Sequence, residues 1–189
     1  MSPHKFKFGI LDSSSREVPY EYADQWAIGQ TTGPGRLVIA PRGRHVALLR
    51  SLSAVMAEPF YLLYVLVVAT DYGEPGRYQS SELLSKQDLL EFLNRFEQFL
   101  ESDGRHHLWV KSIGEPDLLV YDRHNVIYAY GALDGFKTIL TREGLTESPK
   151  IKVPSPHVHY YIQEYDADCR ALLESSNWEH SPLREQDEG

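Results

Sequence analysis

A chain of 189 residues with 42% hydrophobic and 24% charged side chains has the size and make-up of one globular domain that buries a core without covalent staples. Its single cysteine, Cys169, excludes an internal disulfide framework and a multi-cysteine zinc module. The net charge of −8 is uneven: residues 164–189 hold eight acids and two bases, and residues 25–57 hold four arginines and no acid, too few to form a phosphate-tracking surface, so no nucleic-acid partner is expected.

The opening stretch, MSPHKFKFGILDSSSREV, shows no apolar core of a signal peptide. The greasiest run, Phe60 to Ala69, has ten residues, and a membrane span needs about twenty. The expectation is a cytoplasmic protein with no membrane partner.

After the turn TTGPG, GRLVIA reads as a strand. GRHVALLRSLSAVMAEP then sets Leu48, Leu49, Leu52, Val55 and Met56 on one helical face, with Pro59 as the stop. The unbroken apolar run from Phe60 predicts a strand covered on both faces at the centre of the sheet. TDYGEPGRYQSS follows as a Gly/Pro loop. SKQD, a capping-box pattern with Asp in the acidic position, starts the clearest helix; its stripe runs from Leu89 to Leu100 and Gly104 closes it.

HLWVKSI, DLLVYD and NVIYAYG, joined by short turns, predict an antiparallel three-stranded meander. ALDGFKTILTREG is a helix and HVHYYI a strand; DADCRALLES is a last helix with Asp166 as N-cap. The fold class is α+β: a mainly antiparallel mixed sheet with about four helices packed on it. One domain is expected over residues 1–176, with 177–189 as an acidic, loosely held tail.

His157 and His159, two apart in a strand, share a face with Cα atoms roughly 6.6 Å apart, close enough for two imidazoles to meet one ion. A zinc or iron site needs a third ligand; His106, His107, His124 and Glu164 are the candidates. The plainer reading is an edge-like strand flanked by Pro154 and Pro156, whose open face carries His157, His159 and Tyr161. DRHN is read as a hairpin turn with His124 at an exposed tip, although an acid beside a histidine also orients it. No nucleophile elbow, P-loop, HExxH or dinucleotide fingerprint is present in the sequence. No catalytic residue, metal ligand or cofactor is assigned on this reading.

If the hairpin pairs Tyr121 with Val126, then Tyr121, Tyr128 and Tyr130 share an amphipathic face of the kind favoured at interfaces. In kind, such compact acidic chains resemble the bacterial immunity and antitoxin-like inhibitors. The leading expectation is a non-catalytic protein-binding module. Its recognition surface is Tyr121, Tyr128, Tyr130, His157, His159 and Tyr161, and its acidic end engages a basic protein partner. The alternative is a metal-dependent hydrolase or small-molecule-binding protein with His157 and His159 as ligands. A homodimer that buries the aromatic face is compatible with either.

Overall fold

The computed structural model describes residues 6–70 and 72–187. The first five residues of the opening stretch, Asp71 of the Gly/Pro loop and the last two residues of the acidic tail lie outside the described residues.

The chain begins with a hairpin, β1 (Phe8–Leu11) and β2 (Glu17–Pro19), then β3 (Gln25–Gly29) and β4 (Arg36–Ala40). Helix α1 (His45–Ser53) leads into β5 (Phe60–Leu66) and β6 (Gly76–Ser80). Helix α2 (Lys86–Ser102) precedes the meander β7 (His106–Ser112), β8 (Leu118–Tyr121) and β9 (Ile127–Tyr130). Then come α3 (Leu133–Arg142), β10 (Thr146–Glu147), β11 (Val158–His159), α4 (Asp166–Leu173) and β12 (Trp178–Ser181). The fold is α+β: a nine-stranded sheet in the order β10-β3-β4-β9-β8-β7-β5-β6-β12 and a small sheet β11-β1-β2. Among the described residues, the one parallel pairing in the large sheet is β10 with β3. No helix among the described residues is long and apolar enough to cross a membrane.

The α2 start follows the reading of SKQD. The Ser85 side chain accepts from the Asp88 amide, and the Asp88 carboxylate accepts from the Ser85 amide, so two orphan donors are satisfied reciprocally. Its stripe of Leu89, Leu93, Phe96, Phe99 and Leu100 is buried in the main core, each such side chain contributing about 1.5–3 kcal/mol. The helix ends at Asp103, which is extended, and Gly104 has a different task from stopping it. A Cβ on Gly104 would lie 2.7 Å from the Lys7 carbonyl oxygen and 3.1 Å from the His159 Cβ. The missing side chain lets β1 and the segment after β11 close on the end of α2, where the Gly104 amide donates to the Tyr160 carbonyl at 2.7 Å.

Three expectations are corrected. β5 is interior but lies third from the β12 edge, not at the centre, because polar β6 and β12 extend the sheet beyond it. Asp166 is the first residue of α4 rather than its cap; Tyr165 precedes the helix, and the Asp166 carboxylate instead accepts from Arg105 at 2.7 Å and from Thr70 at 2.6 Å. The hairpin register is shifted by one: Tyr121 pairs with Ile127 and Leu119 with Ala129. The turn sets this, since the Asp122 amide bonds the Val126 carbonyl and Asn125 takes a left-handed φ of 60°. A one-residue slip reverses which partner shares a face. Tyr121 therefore joins Ile127 against the helices, fully buried, while Tyr128 and Tyr130 point the other way.

The segment expected as a loose tail supplies β12, paired with β6 from Trp178–Ser80 to Ser181–Arg77. Beyond it, Asp187 is buried against Arg77 at 2.6 Å.

The two faces of the large sheet differ sharply. On the helical face the cross-strand row Leu37, Ala129, Leu119, Val110 and Leu62 is at most 1% exposed. On the reverse face the row Arg36, Tyr130, Leu118, Lys111 and Tyr61 is half-buried throughout. The next row, Val38, Tyr128, Val120 and Trp109, is also half-buried and ends on buried Leu63. Only the strip beyond them is sealed. There Ala40, Val126, His107, Val65 and Arg77 are buried under the small sheet and the C-terminal turn.

Candidate metal centre

His124 arrives at the site from the β8–β9 turn, His159 arrives on β11, and His157 stands immediately before that strand. Antiparallel pairing places His159 opposite Phe8 and Val158 opposite Gly9, and the alternation of a strand sends both imidazoles to one side. The Phe8 ring lies 5.5 Å from the His124 ring, 5.4 Å from His157 and 5.5 Å from His159. The three imidazoles form a near-equilateral triangle with centroids 4.9, 4.9 and 5.2 Å apart. One nitrogen from each lies within 4.8 Å of the other two. Around a tetrahedral zinc ion such nitrogens sit roughly 3.4 Å apart, so the triangle needs a modest closure to grip one ion.

The hydrogen bonds decide which nitrogens are free to ligate. The Asp122 carboxylate faces His124 Nδ1 at 3.0 Å, and a carboxylate only accepts, so Nδ1 carries the proton. His157 Nδ1 faces the Pro154 carbonyl at 2.9 Å, and the same reasoning applies. In the neutral ring this puts the lone pair on Nε2, the arrangement that carboxylate or carbonyl partners impose on metal-ligating histidines. Both ring nitrogens of His159 are buried, without a hydrogen-bond partner among the described residues. Burial first, then repulsion from the Arg123 guanidinium, lowers the His159 pKa to about 3. Its imidazole is neutral, as a ligand must be.

Asp122 is the residue that builds the corner. It is 6% exposed, and its Oδ1 accepts from the His124 amide at 2.9 Å and the Val126 amide at 3.0 Å. Burial works to raise its pKa, but the hydrogen bonds from the His124 ring and the Val126 amide hold it below the usual carboxylate range. DRHN is a turn, as its composition implies, but His124 is 8% exposed rather than at an exposed tip. The small sheet folds over it.

The other candidate ligands go elsewhere. His106 is fully buried, its ring 5.2 Å from Tyr64 and 4.8 Å from Phe99. His107 Nε2 lies 3.1 Å from the Asp187 carbonyl, and Glu164 is exposed in the turn Gln163–Tyr165. Of the tyrosines, Tyr121 is sealed beneath the helices, its ring stacked on His45 at 5.3 Å and its hydroxyl donating to Asn125 at 2.9 Å. Tyr128 and Tyr130 stay together on the reverse face, with the Arg36 guanidinium 4.6 Å over Tyr128 and donating to the Tyr130 hydroxyl at 3.0 Å. Tyr161 is 43% exposed, beyond the two-residue β11, so the alternation that would align it with the histidines has ended.

Phe8 and Asp122 are the site residues that sequence reasoning did not select. The acid two residues before His124 was a usable signal; Phe8 carried none, because nothing local to it indicates a strand partner at the far end of the chain. No family model matches this chain, and no curated protein or solved structure is similar to it.

Proposed function

We propose that this protein binds one zinc-class divalent ion through His124, His157 and His159 and uses the remaining coordination position to activate water for hydrolysis. The observation that supports it is the convergence of three imidazole nitrogens, two of them aimed by acceptors on the opposite ring nitrogen. Three histidine ligands would leave a tetrahedral ion one open position, and a water bound there would be acidified to a pKa of about 7. His157 and His159 are half-buried, so the triangle has an edge toward solvent.

The test is metal content and titration. Chelator-stripped protein should take up one equivalent of zinc, and His124→Ala, His157→Ala and His159→Ala should each lose it. Zinc-loaded protein should hydrolyse an activated ester with a rate that rises through about pH 7. Uptake that survives all three substitutions would sink the reading.

The non-catalytic protein-binding module is the second reading. The half-buried reverse face, with Tyr128 and Tyr130 on it, favours it. Capture of a partner protein that is released by Tyr130→Ala, with no zinc taken up, would reverse the order of the two.

A further inference from the structure

At the β12 end of the helical face, Ser80 of β6 stands between two large neighbours. Its hydroxyl accepts from the Leu62 amide of β5 at 2.9 Å, and Trp178 of β12 is its register partner. A serine between a leucine and a tryptophan cannot fill the space under α2, and a cleft of about 390 Å³ remains there, the size of a small-molecule site. Its floor is apolar, with Leu62 and Phe96 both buried. Phe92 and Trp178 line it with rings inclined at 64° and centroids 6.5 Å apart. The Trp178 indole N–H donates to the Leu172 carbonyl at 3.2 Å, which fixes that wall. The mouth is acidic: Glu82, Asp88 and Glu91 line it with Arg95, and all four are exposed. Among the described residues none of these acids is in an ion pair. Asp88 accepts the Ser85 amide and hydroxyl on Oδ2 alone, Glu91 accepts from the Gln87 side chain, and the Arg95 guanidinium lies 5.0 Å over the Phe96 ring. Even with Arg95 set against one acid, two negative charges stay uncompensated. Leu83, 56% exposed, stands at the same cleft as an uncovered apolar side chain.

We infer that this cleft binds a small organic cation, an ammonium group on an apolar body. The body lies between Phe92 and Trp178 over Leu62. Asp88 and Glu91, neighbours one turn apart on α2, hold the charge within the field of Glu82. Buried floor and charged mouth match a ligand that is greasy at one end and ionic at the other, and the ring faces attract the cation as well. An anion would meet an excess of like charge, and a neutral body would leave the carboxylates uncompensated. A second copy of the chain would set the acidic mouth against its own like. The cleft shares no residue with the histidine triangle, so binding there does not depend on the metal.

The experiment uses the whole chain stripped of metal, so that its outcome is separate from that of the zinc titration. The probes are 4-phenylbutylamine, neutral 4-phenylbutanol and 4-phenylbutyrate, matched in body and different in charge, followed by calorimetry and tryptophan fluorescence. The expected result is saturable binding of the amine, roughly fivefold or more tighter than the alcohol, with the butyrate weakest. Glu82→Gln with Glu91→Gln leaves Asp88 balanced by Arg95 and should erase the preference, with the thermal unfolding transition in place because both positions are exposed. Phe92→Leu keeps the apolar wall but removes its ring, and should weaken the amine more than the alcohol. Trp178→Phe should remove the fluorescence response, with Trp26 and Trp109 as internal references. Failure of the amine to bind, equal affinity for amine and alcohol, or amine binding unchanged in the paired glutamine variant would overturn the proposal. So would a dimer in light scattering that Leu83→Glu dissociates, because a second chain would then cover the cleft.

Discussion

Asp122→Asn separates the two duties assigned to Asp122. The native carboxylate satisfies two turn amides through Oδ1 and the His124 ring through Oδ2. Asparagine keeps the carbonyl oxygen for the amides at His124 and Val126, so the turn should survive with a loss of about 1 kcal/mol. The amide NH2, however, would face His124 Nδ1, and two donors cannot share one bond. The imidazole must then move its proton to Nε2, which removes the lone pair aimed at His157 and His159. Zinc affinity should fall about 10- to 100-fold, the usual consequence of losing an orienting partner. Asp122→Ala strands both buried amides as well and should cost about 3–5 kcal/mol. The assays are zinc competition against a chromophoric chelator and urea unfolding of the metal-free protein, run on both variants. Unchanged zinc affinity in Asp122→Asn, alongside loss in His124→Ala, would refute the orienting role. An Asp122→Ala protein as stable as the parent would refute the structural one.

Two further outcomes follow from buried polar groups. Burial lowers the His45 pKa to about 3 and the His107 pKa to about 4; between pH 4 and the unfolded value near 6.5 the unfolded chain therefore binds more protons. Stability should fall on acidification through that window, by about 1.4 kcal/mol per pH unit for each histidine at the steepest. Urea midpoints at pH 7 and pH 5 measure it, and equal midpoints would count against the burial of both rings. Arg105, 1% exposed, holds fully buried Asp103 through two hydrogen bonds and reaches Asp166 at 2.7 Å. Arg105→Met should destabilise by about 3–5 kcal/mol, because it leaves Asp103 charged in the interior. Asp103→Leu added to it should recover part of that loss in the same urea assay.

How much of this was legible in the sequence depended on whether the signal was local. The helices declared themselves by period and by caps, and α2 from SKQD onward matches its pattern because the capping box and the Leu/Phe stripe are contained within one element. The meander was legible for the same reason. The hairpin register was not, since it hinges on whether the Asp122 carboxylate gathers the His124 and Val126 amides, a choice that Asp-Arg-His-Asn composition leaves open. β6 and β12 escaped because GRYQS and WEHS are polar segments with no apolar alternation, and they are strands only through pairing, β6 with β5 and β12 with β6. The metal triangle divided along the same line. HVH was readable as a shared-face pair, but the choice of His124 over three other candidates came from the pairing of β11 with β1 and from the Gly104 contact, both distant in sequence.

That pairing has a kinetic meaning. Phe8 and His159 are register partners about 150 residues apart, so closing the small sheet spans a long loop, with a correspondingly large entropic penalty before any contact rewards it. The helix-covered meander, whose strands are sequence neighbours, can condense earlier. The histidine triangle should thus be among the last parts to assemble, completed only after synthesis has passed residue 159 and the terminal hairpin has been captured. A metal that grips all three rings would act as a latch on that final step, slowing the separation of β11 and the β8–β9 turn.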